Sequence, residues 1–498
     1  MKKTNIAVYL IFNLFIFFIF SGCEKYRSLV PPVGPNYDNP DTEIPETWHR
    51  PPDPALIPTP IEIQKWWTLF NDPMLDRFIS QAEKSNLDLR VAVARVKEAR
   101  AQLAVATGEK IPLIDAVGTG THAKTSGNIG AGEGTTGITY SIGLDASWEI
   151  DLFGRISRSI EAATGDYQAS EEDRIDVMIT MYSEVARAYL SIRTFQARLT
   201  ASKGNIKSQR EVLELTQSKF KHGLAAALDV AQAERVLASS EAEVPPLRSD
   251  LAQAINNIGV LLGKPPGTFH DTLRVQKAIP IPPVKVAVGV PADLLRQRPD
   301  IRRAERELAA QTARIGLATA DLYPSFSLVG TLGLTSISAG DLLTGSSSFY
   351  TFGPSLKWNI LDGSRIRNRI KVEDARTEQS LLAYEQAVLN ALKEAENAMT
   401  AVVEQRMEFE AQMRSADAAR RALRLSTKLY KDGLLDFQDV LDSQRSLFSI
   451  ENEVAASKGQ AAQNLVNLYK ALGGGWNPPA SLPETAKKPN PSPKPAKM

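Results

Sequence analysis

NLDLRVAVARVKEARAQLAVATGEKIPLIDAVG, residues 86–118, and RPDIRRAERELAAQTARIGLATADLYPSFSLVG, residues 298–330, are two versions of one pattern. Pro112 answers Pro324, 212 positions on. Further along, Trp148, Glu149, Ile150 and Arg155 answer Trp358, Asn359, Ile360 and Arg365 at a spacing of 210. GLAAALDVAQAER from Gly223 answers GLLDFQDVLDSQR from Gly433 at the same 210. Helices rich in Ala, Glu and Arg resemble one another by composition, but Pro, Trp and Gly positions are hard to match by bias. Three correspondences in the same order therefore describe one structural unit used twice.

Within each copy the periodicity switches. Ile138, Tyr140, Ile142, Leu144, Ala146, Trp148, Ile150 and Leu152 are apolar or aromatic, and the residues between them are polar or small. That period of two predicts a strand with one apolar face. In the second copy Tyr350, Phe352, Leu356, Trp358 and Ile360 hold one face, with Pro354 the irregular member. Opposing runs from Leu113 to about Thr121 and from Phe326 to about Thr335 complete two hairpins, whose tips, SGNIGAGEGTTG and TSISAGDLLTGSSS, read as exposed loops. Alternation alone fits a sandwich sheet and a barrel equally. Four strands cannot close a barrel, and open edges are not tolerated in lipid, so a membrane role requires several chains to pool their strands.

The remainder reads as helix. The stretches Arg155–Leu262 and Arg365–Leu472 are interrupted mainly near Gly223 and Gly433. Leu381, Val388, Ala395, Val402 and Phe409 recur every seven residues, with Leu392, Met399 and Met413 in companion positions, which predicts long coiled-coil-like rods. A duct explains such rods better than a globule does.

With 58 basic and 57 acidic side chains, the net charge of +1 offers no electrostatic case for nucleic acid. A single cysteine, Cys23, excludes a disulfide framework within the chain and a Cys-based zinc site. It follows a basic start at Lys2 and Lys3, an apolar stretch from Ile6 to Phe20, and Ser21-Gly22. This is the layout of an export signal, and the apolar stretch is short of the ~20 residues that a spanning helix needs. Ser-Gly-Cys resembles the end of a bacterial lipobox, although Phe20 stands where Leu is usual. The expected organisation is a signal peptide over 1–22, a Pro-rich lipid-anchored arm over 23–60 and a first repeat over 61–262. A linker over 263–290, a second repeat over 291–472 and a disordered Pro/Lys-rich tail over 473–498 follow.

The motifs EIDLFGR (149–155), YSEVARAYLSIR (182–193), RPDIRRAERELAAQTARIGLATADLYPSFSL (298–328) and LDSQRSLF (441–448) resemble those of the TolC-like outer membrane factors. The lipobox-bearing NodT/OprM-type branch is most similar. The resemblance covers about Trp66 to Leu472. It implies a mixed, mainly α fold, in which long helical hairpins form a periplasmic α-barrel and each chain gives four strands to a shared trimeric transmembrane β-barrel. It further implies a homotrimer in the outer membrane, lipid-anchored at an acylated, palmitate-bearing Cys23. The implied partners are a periplasmic adaptor (membrane fusion) protein and an inner-membrane pump of the resistance-nodulation-division type. The implied role is passive efflux of substrates, including multidrug export, with no cofactor and no enzymatic activity.

Arg155 and Arg365 look like the family's strand-to-helix junctions, and the turns at Gly223 and Gly433 like its helix tips. Asp439 and Asp442 lie at i and i+3, on one helix face. They match the acidic pair that rings the closed periplasmic aperture in some members; a solvated helix face is the alternative. The first copy has Asp229 but Gln232 at these places, so only the second carries the pair. Gly223 and Gly433 are expected to adopt positive φ at a helix end. Tyr140, Trp148, Tyr350 and Trp358 fit an aromatic girdle and core packing equally. The four histidines, His49, His122, His222 and His270, show no metal-ligand spacing, and the Gly-rich run near Gly130 matches no phosphate loop. A tethered periplasmic coiled-coil scaffold with a small soluble sheet is the reading from a different class.

Overall fold

The computed structural model describes residues 31–49, 53, 56–57, 64–128, 134–280 and 286–477. Cys23, the export signal and the tail beyond residue 477 lie outside the described residues. In chain order the main helices are α1 (Pro73–Ser85), α2 (Leu87–Gly108), α3 (Arg155–Lys221), α4 (Ala227–Ala242), α5 (Val244–Leu261), α6 (Pro299–Ala320), α7 (Arg365–Lys431) and α8 (Phe437–Ala471). The long strands are β1 (Leu113–Lys124), β2 (Thr136–Ile150), β3 (Ser325–Ser336) and β4 (Ser348–Lys357).

The duplication is visible element by element. Helices α2 and α6 each have 22 residues, β1 and β3 each have 12, and α3 and α7 each have 67. A 67-residue helix is ~100 Å long at 1.5 Å per residue. The copies part after the tip. Helix α8 runs unbroken for 35 residues, whereas its counterpart is divided into α4 and α5 at Glu243. Pro245 and Pro246 supply the reason: neither has an N–H for the helical ladder, so both are seated in the first turn of a new helix. The sequence reading places interruptions at Gly223 and Gly433 and overlooks this one.

The chain divides into two compact units. One contains the described residues up to 40, 97–169 and 305–383; the other contains 41–96, 170–304 and 384 onward. The first unit carries the sheet, ordered β1-β2-β3-β4 and antiparallel throughout, with β1 and β4 as its edges.

The second unit carries the main core. Trp66 stacks on Tyr469 at 5.6 Å, and Phe70, Leu75, Phe78 and Ile79 are buried with Val185, Leu190, Ile255, Ile258 and Leu465. Helix α1 is tied to α3 by two phenols: Tyr189 donates to Asp72 at 2.5 Å, and Tyr182 to Glu83. Asp72 also caps α1 by accepting from Met74 N at 2.9 Å. On α7 the buried seam runs through Tyr384, Val388, Ala391, Ala395, Met399 and Val403. Val402 and Phe409 of the expected seven-residue stripe are only half-buried, and Met413 is exposed. A helix of 3.6 residues per turn carries a strict heptad stripe ~20° around its axis per repeat, so Val388 and Ala395 are buried while Leu381 is half-buried and Val402 packs against the core from its edge.

The described residues of the Pro-rich arm are seated on the body of the chain. Within the second unit Trp48 donates its indole N–H to Gly289 O at 3.0 Å, the amide of His49 donates to Glu396 at 2.6 Å, and Asp53 pairs with Arg406 at 3.2 Å. The opening residues of the expected tail are held as well. Trp476 donates to Gln297 O at 2.9 Å, and the Arg302 guanidinium lies 5.3 Å from its ring centre.

Candidate functional site

The sheet register separates two faces. One carries Ile114, Ile138, Tyr140, Ile142, Leu144, Trp148, Leu328, Leu332, Leu334, Tyr350, Phe352 and Leu356, which fall opposite one another across the ladder. The other carries Asp115, Thr119, Ser141, Asp145, Ser147, Ser327, Thr331 and Thr351, with Thr331 donating to Asp145 at 2.8 Å. The apolar face is open: Phe352 is 77% exposed and Tyr350 67%, and Leu144 and Leu332 are also exposed. A soluble sheet would cover such a face, because large exposed apolar patches mark contact with a partner or with lipid.

Aromatic residues bracket this face. Tyr140 and Trp148 are eight residues apart, as are Tyr350 and Trp358. Eight residues at ~3.4 Å reach ~27 Å along a strand, or about 20 Å in height at the ~40° tilt of barrel strands, which is most of the ~25 Å apolar band. Both tryptophans lie at the helix-proximal end and make the same contact. Trp148 donates to Lys110 O and Trp358 to Leu322 O, each at 3.0 Å.

Arg155 and Arg365 are the first residues of α3 and α7. The side chains that build these junctions are two aspartates that sequence reasoning passed over. Asp151 accepts from Ile156 N at 2.9 Å and Ser157 N at 2.8 Å; Asp362 accepts from Ile366 N at 2.7 Å and Ser364 N at 2.9 Å. Each satisfies amides that a helix start leaves unpaired. Those amide bonds, that of Ile366 foremost, hold the Asp362 carboxyl below the usual carboxylate range. Arg155 also bridges Glu149 at 2.7 Å and Glu109 at 3.2 Å, while Arg365 donates only to Asp362 O at 2.8 Å.

At the tips Gly223 and Gly433 have φ of 72° and 75°. Leu224 N donates to Lys219 O at 2.8 Å and Leu434 N to Leu429 O at 2.9 Å, the wide bond of a Schellman ending. Asp439 and Asp442 both stand exposed on α8. Asp442 accepts from Gln438 at 3.2 Å and lies 3.8 Å from Arg445. The two copies use the aligned aspartate differently: Asp229 accepts from Ala226 N at 3.0 Å and so closes its own helix start, whereas Asp439 has no such bond. Behind the pair lies a small core of Val212, Val236, Tyr430, Phe437, Val440 and Leu441. Lys219 covers the Tyr430 ring at 4.1 Å and donates to its carbonyl oxygen. Sequence reasoning missed this cluster, whose only signal is the apolar spacing of Phe437, Val440 and Leu441.

Among the described residues no group of three His, Cys, Asp or Glu side chains could hold a metal ion. Among the same residues no helix is long and apolar enough to cross a membrane.

The sequence pattern of the family described as "Outer membrane efflux protein" matches residues 78–264 and again 290–474. The chain belongs to the outer membrane efflux protein family. It is 34% identical over 470 residues to nodulation protein T of Rhizobium leguminosarum bv. trifolii, covering 94% of this chain and 97% of that protein. It is 30% identical to the probable outer membrane lipoprotein SilC of Salmonella typhimurium, covering 92% of this chain and 97% of that one. The solved outer-membrane channel OprN superposes with a TM-score of 0.84 at 33% identity, over 89% of this chain and 99% of the channel. As a member of this family, the chain is an outer-membrane channel component of an efflux system. Its strands contribute to a transmembrane β-barrel and its long helices to a periplasmic α-barrel. Members of the family are channel proteins.

Proposed function

We propose that three copies of this chain form one passive duct that carries substrates from an inner-membrane pump of the resistance-nodulation-division type, through a periplasmic adaptor, to the exterior. The observation that carries this reading is the four-stranded sheet with an open apolar face and two unpaired edges, β1 and β4. Edges must be paired in lipid, and three four-stranded sheets joined edge to edge make a closed barrel of twelve strands. Acylation of Cys23, after removal of residues 1–22, adds a lipid anchor in the same membrane. The tips at Gly223 and Gly433 are the ends offered to the adaptor. Residues 61–262 and 291–472 act as the two repeats around a linker at 263–290.

Three-fold symmetry gathers three copies of the Asp439/Asp442 pair around the periplasmic aperture. The contrast with Asp229 supports this: Asp439 is spared the capping bond that occupies its counterpart. Carboxylates crowded around a narrow opening attract multivalent cations. The test is cation block of single-channel current. Block by a trivalent cation weakens and conductance rises in Asp439→Ala/Asp442→Ala; unchanged cation affinity contradicts the acidic aperture.

A further inference from the structure

Arg158 is 2% exposed, one of the most deeply buried charged side chains among the described residues. Its Nη1 donates to Glu161 at 2.7 Å. Every other hydrogen bond of its guanidinium goes to the N-terminal arm. Nε donates to Val33 O at 3.0 Å; Nη2 donates to Asn36 Oδ1 at 2.9 Å and to the carbonyls of Gly34 and Pro32 at 3.2 and 3.4 Å. A buried guanidinium is costly unless its donors are satisfied, and here most are satisfied only while the arm is in place.

The backbone around it is shaped for the same segment. Gly34 has φ of 85°, and a Cβ on it would lie 2.4 Å from Gly316 Cα. A Cβ on Gly154 would lie 2.5 Å from Pro32 Cβ; its left-handed backbone is shared by Ser364 in the second copy, φ 65°, so the close approach and not the φ is what the arm requires. A Cβ on Gly316 would lie 2.7 Å from Arg158 Nε. Val33 N donates to Phe153 O at 3.2 Å, and Tyr37 donates to Glu305 at 3.3 Å.

The internal repeat supplies a control. At the spacings of 210 and 212, Arg158, Gly154 and Gly316 fall on Asn368, Ser364 and Ala104. The second copy builds the same helices and hairpin without these three residues, so the common architecture does not require them. They are specific to the copy that receives the arm.

We infer that Pro32–Asn36 form a strap that Arg158 locks onto the strand-to-helix junction, so that the membrane anchor at Cys23 is held beside the barrel wall. The inference rests on acylation of Cys23. Eight Cα steps separate Pro31 from Cys23, a reach of at most ~29 Å. That contour limits how far the acyl chains can stray from the strand-to-helix junction where the strap is fixed. A single acyl chain binds a membrane only marginally, so a tether fixed to the barrel makes anchor and barrel cooperate, as two linked binding elements do. Arg158 is thus a positioning residue for anchored assembly, acting through the strap.

A double-mutant cycle tests this in cells that export the full chain, read as the heat-resistant trimer recovered from outer membranes. Arg158→Gln removes the lock. Gly34→Ala breaks the same lock from the strap's side without changing Arg158, and circular dichroism of both variants reports whether the helices still form. Each is combined with Cys23→Ala behind a leader that is not acylated, and the mass of the N-terminal peptide reports acylation. The expected result is a severalfold loss of trimer in each single variant and no further loss when either is added to Cys23→Ala. Losses that multiply, or no loss in the acylated protein, overturn the strap's role while leaving acylation standing. An unmodified Cys23 refutes the anchor itself.

Discussion

The indole N–H of Trp148 meets the carbonyl oxygen of Lys110 at 3.0 Å, just past the end of α2. Trp358 makes the same bond to Leu322 past the end of α6. Each ring therefore ties the last turn of a strand on the apolar face to the helix that feeds the hairpin, which suits the wet edge of a membrane, where an indole has one apolar side and one hydrogen-bonding atom. In bilayers carrying brominated lipids, quenching of tryptophan fluorescence is expected to be strongest for bromines near the headgroups. It should fall in Trp148→Phe/Trp358→Phe, with each lost bond costing about 1 kcal/mol of stability. Equal quenching by bromines at the chain ends would remove these residues from the interface.

Two helical glycines should respond to alanine in opposite directions. A Cβ on Gly459 of α8 would lie 2.0 Å from Thr194 Oγ1, so Gly459→Ala should destabilise by about 1–3 kcal/mol. Gly204 in α3 has nothing within 4 Å of a new Cβ, and Gly204→Ala should stabilise by up to about 1 kcal/mol. Thermal unfolding of the two variants checks both signs.

At the junctions, the aspartates and not the arginines carry the helix starts. Asp151→Ala should cost about 0.5–2 kcal/mol, as a lost helix cap does, and Asp362→Ala should lower the melting temperature in the same direction. Arg365→Ala, which gives up only its bond to Asp362 O, should be nearly silent in the same melts.

Two neighbouring carboxyls should give opposite pH dependence. Burial, then the charge of Asp300, pushes Asp176 up against the pull of Arg303, Lys470 and Arg298. The folded state thus holds that proton more tightly than the unfolded chain, and ionised Asp176 is a penalty above its raised value. Asp176→Asn should raise the melting temperature at neutral pH, with the gain vanishing as pH falls towards about 4. Burial also pushes Asp300 up, but the Arg298 bonds at 3.0 and 2.7 Å and backbone amides outweigh it and leave its carboxyl below the usual range. Its stabilisation is full above about 4 and is lost as pH falls through the lowered value, so Asp300→Asn should weaken the protein at neutral pH and matter little in acid. Melts across pH distinguish the pair.

What the sequence exposes and what it hides follow from range. Alternation from Ile138 to Ile150 suffices to place β2, because every second residue faces lipid or polar surroundings. The duplication is legible because Pro112/Pro324, Trp148/Trp358 and Gly223/Gly433 are fixed by local backbone needs. The Asp151 and Asp362 caps and the Pro245-Pro246 break are local as well, each carried by residues within a few positions of the helix start that they set. The function of the RPDI motif is hidden for a different reason. Arg298 binds Asp300 nearby, but also Glu394 at 2.8 Å and the Ala471 carbonyl at 2.9 Å, partners 96 and 173 positions away. The same holds for Arg158, whose acceptors other than Glu161 lie in a Pro-rich segment with no periodicity to read. The seven-residue stripe on α7 holds at Val388 and Ala395 and weakens beyond them, because a straight helix does not keep a heptad in register with its core.

The central claim is that this chain forms a conducting duct, and single-channel recording of the purified protein in planar lipid bilayers tests it most directly. Discrete, uniform current steps from a trimeric species, small in the wild type and larger in Asp439→Ala/Asp442→Ala, are the predicted result. A folded, inserted trimer that passes no current in either form would contradict it.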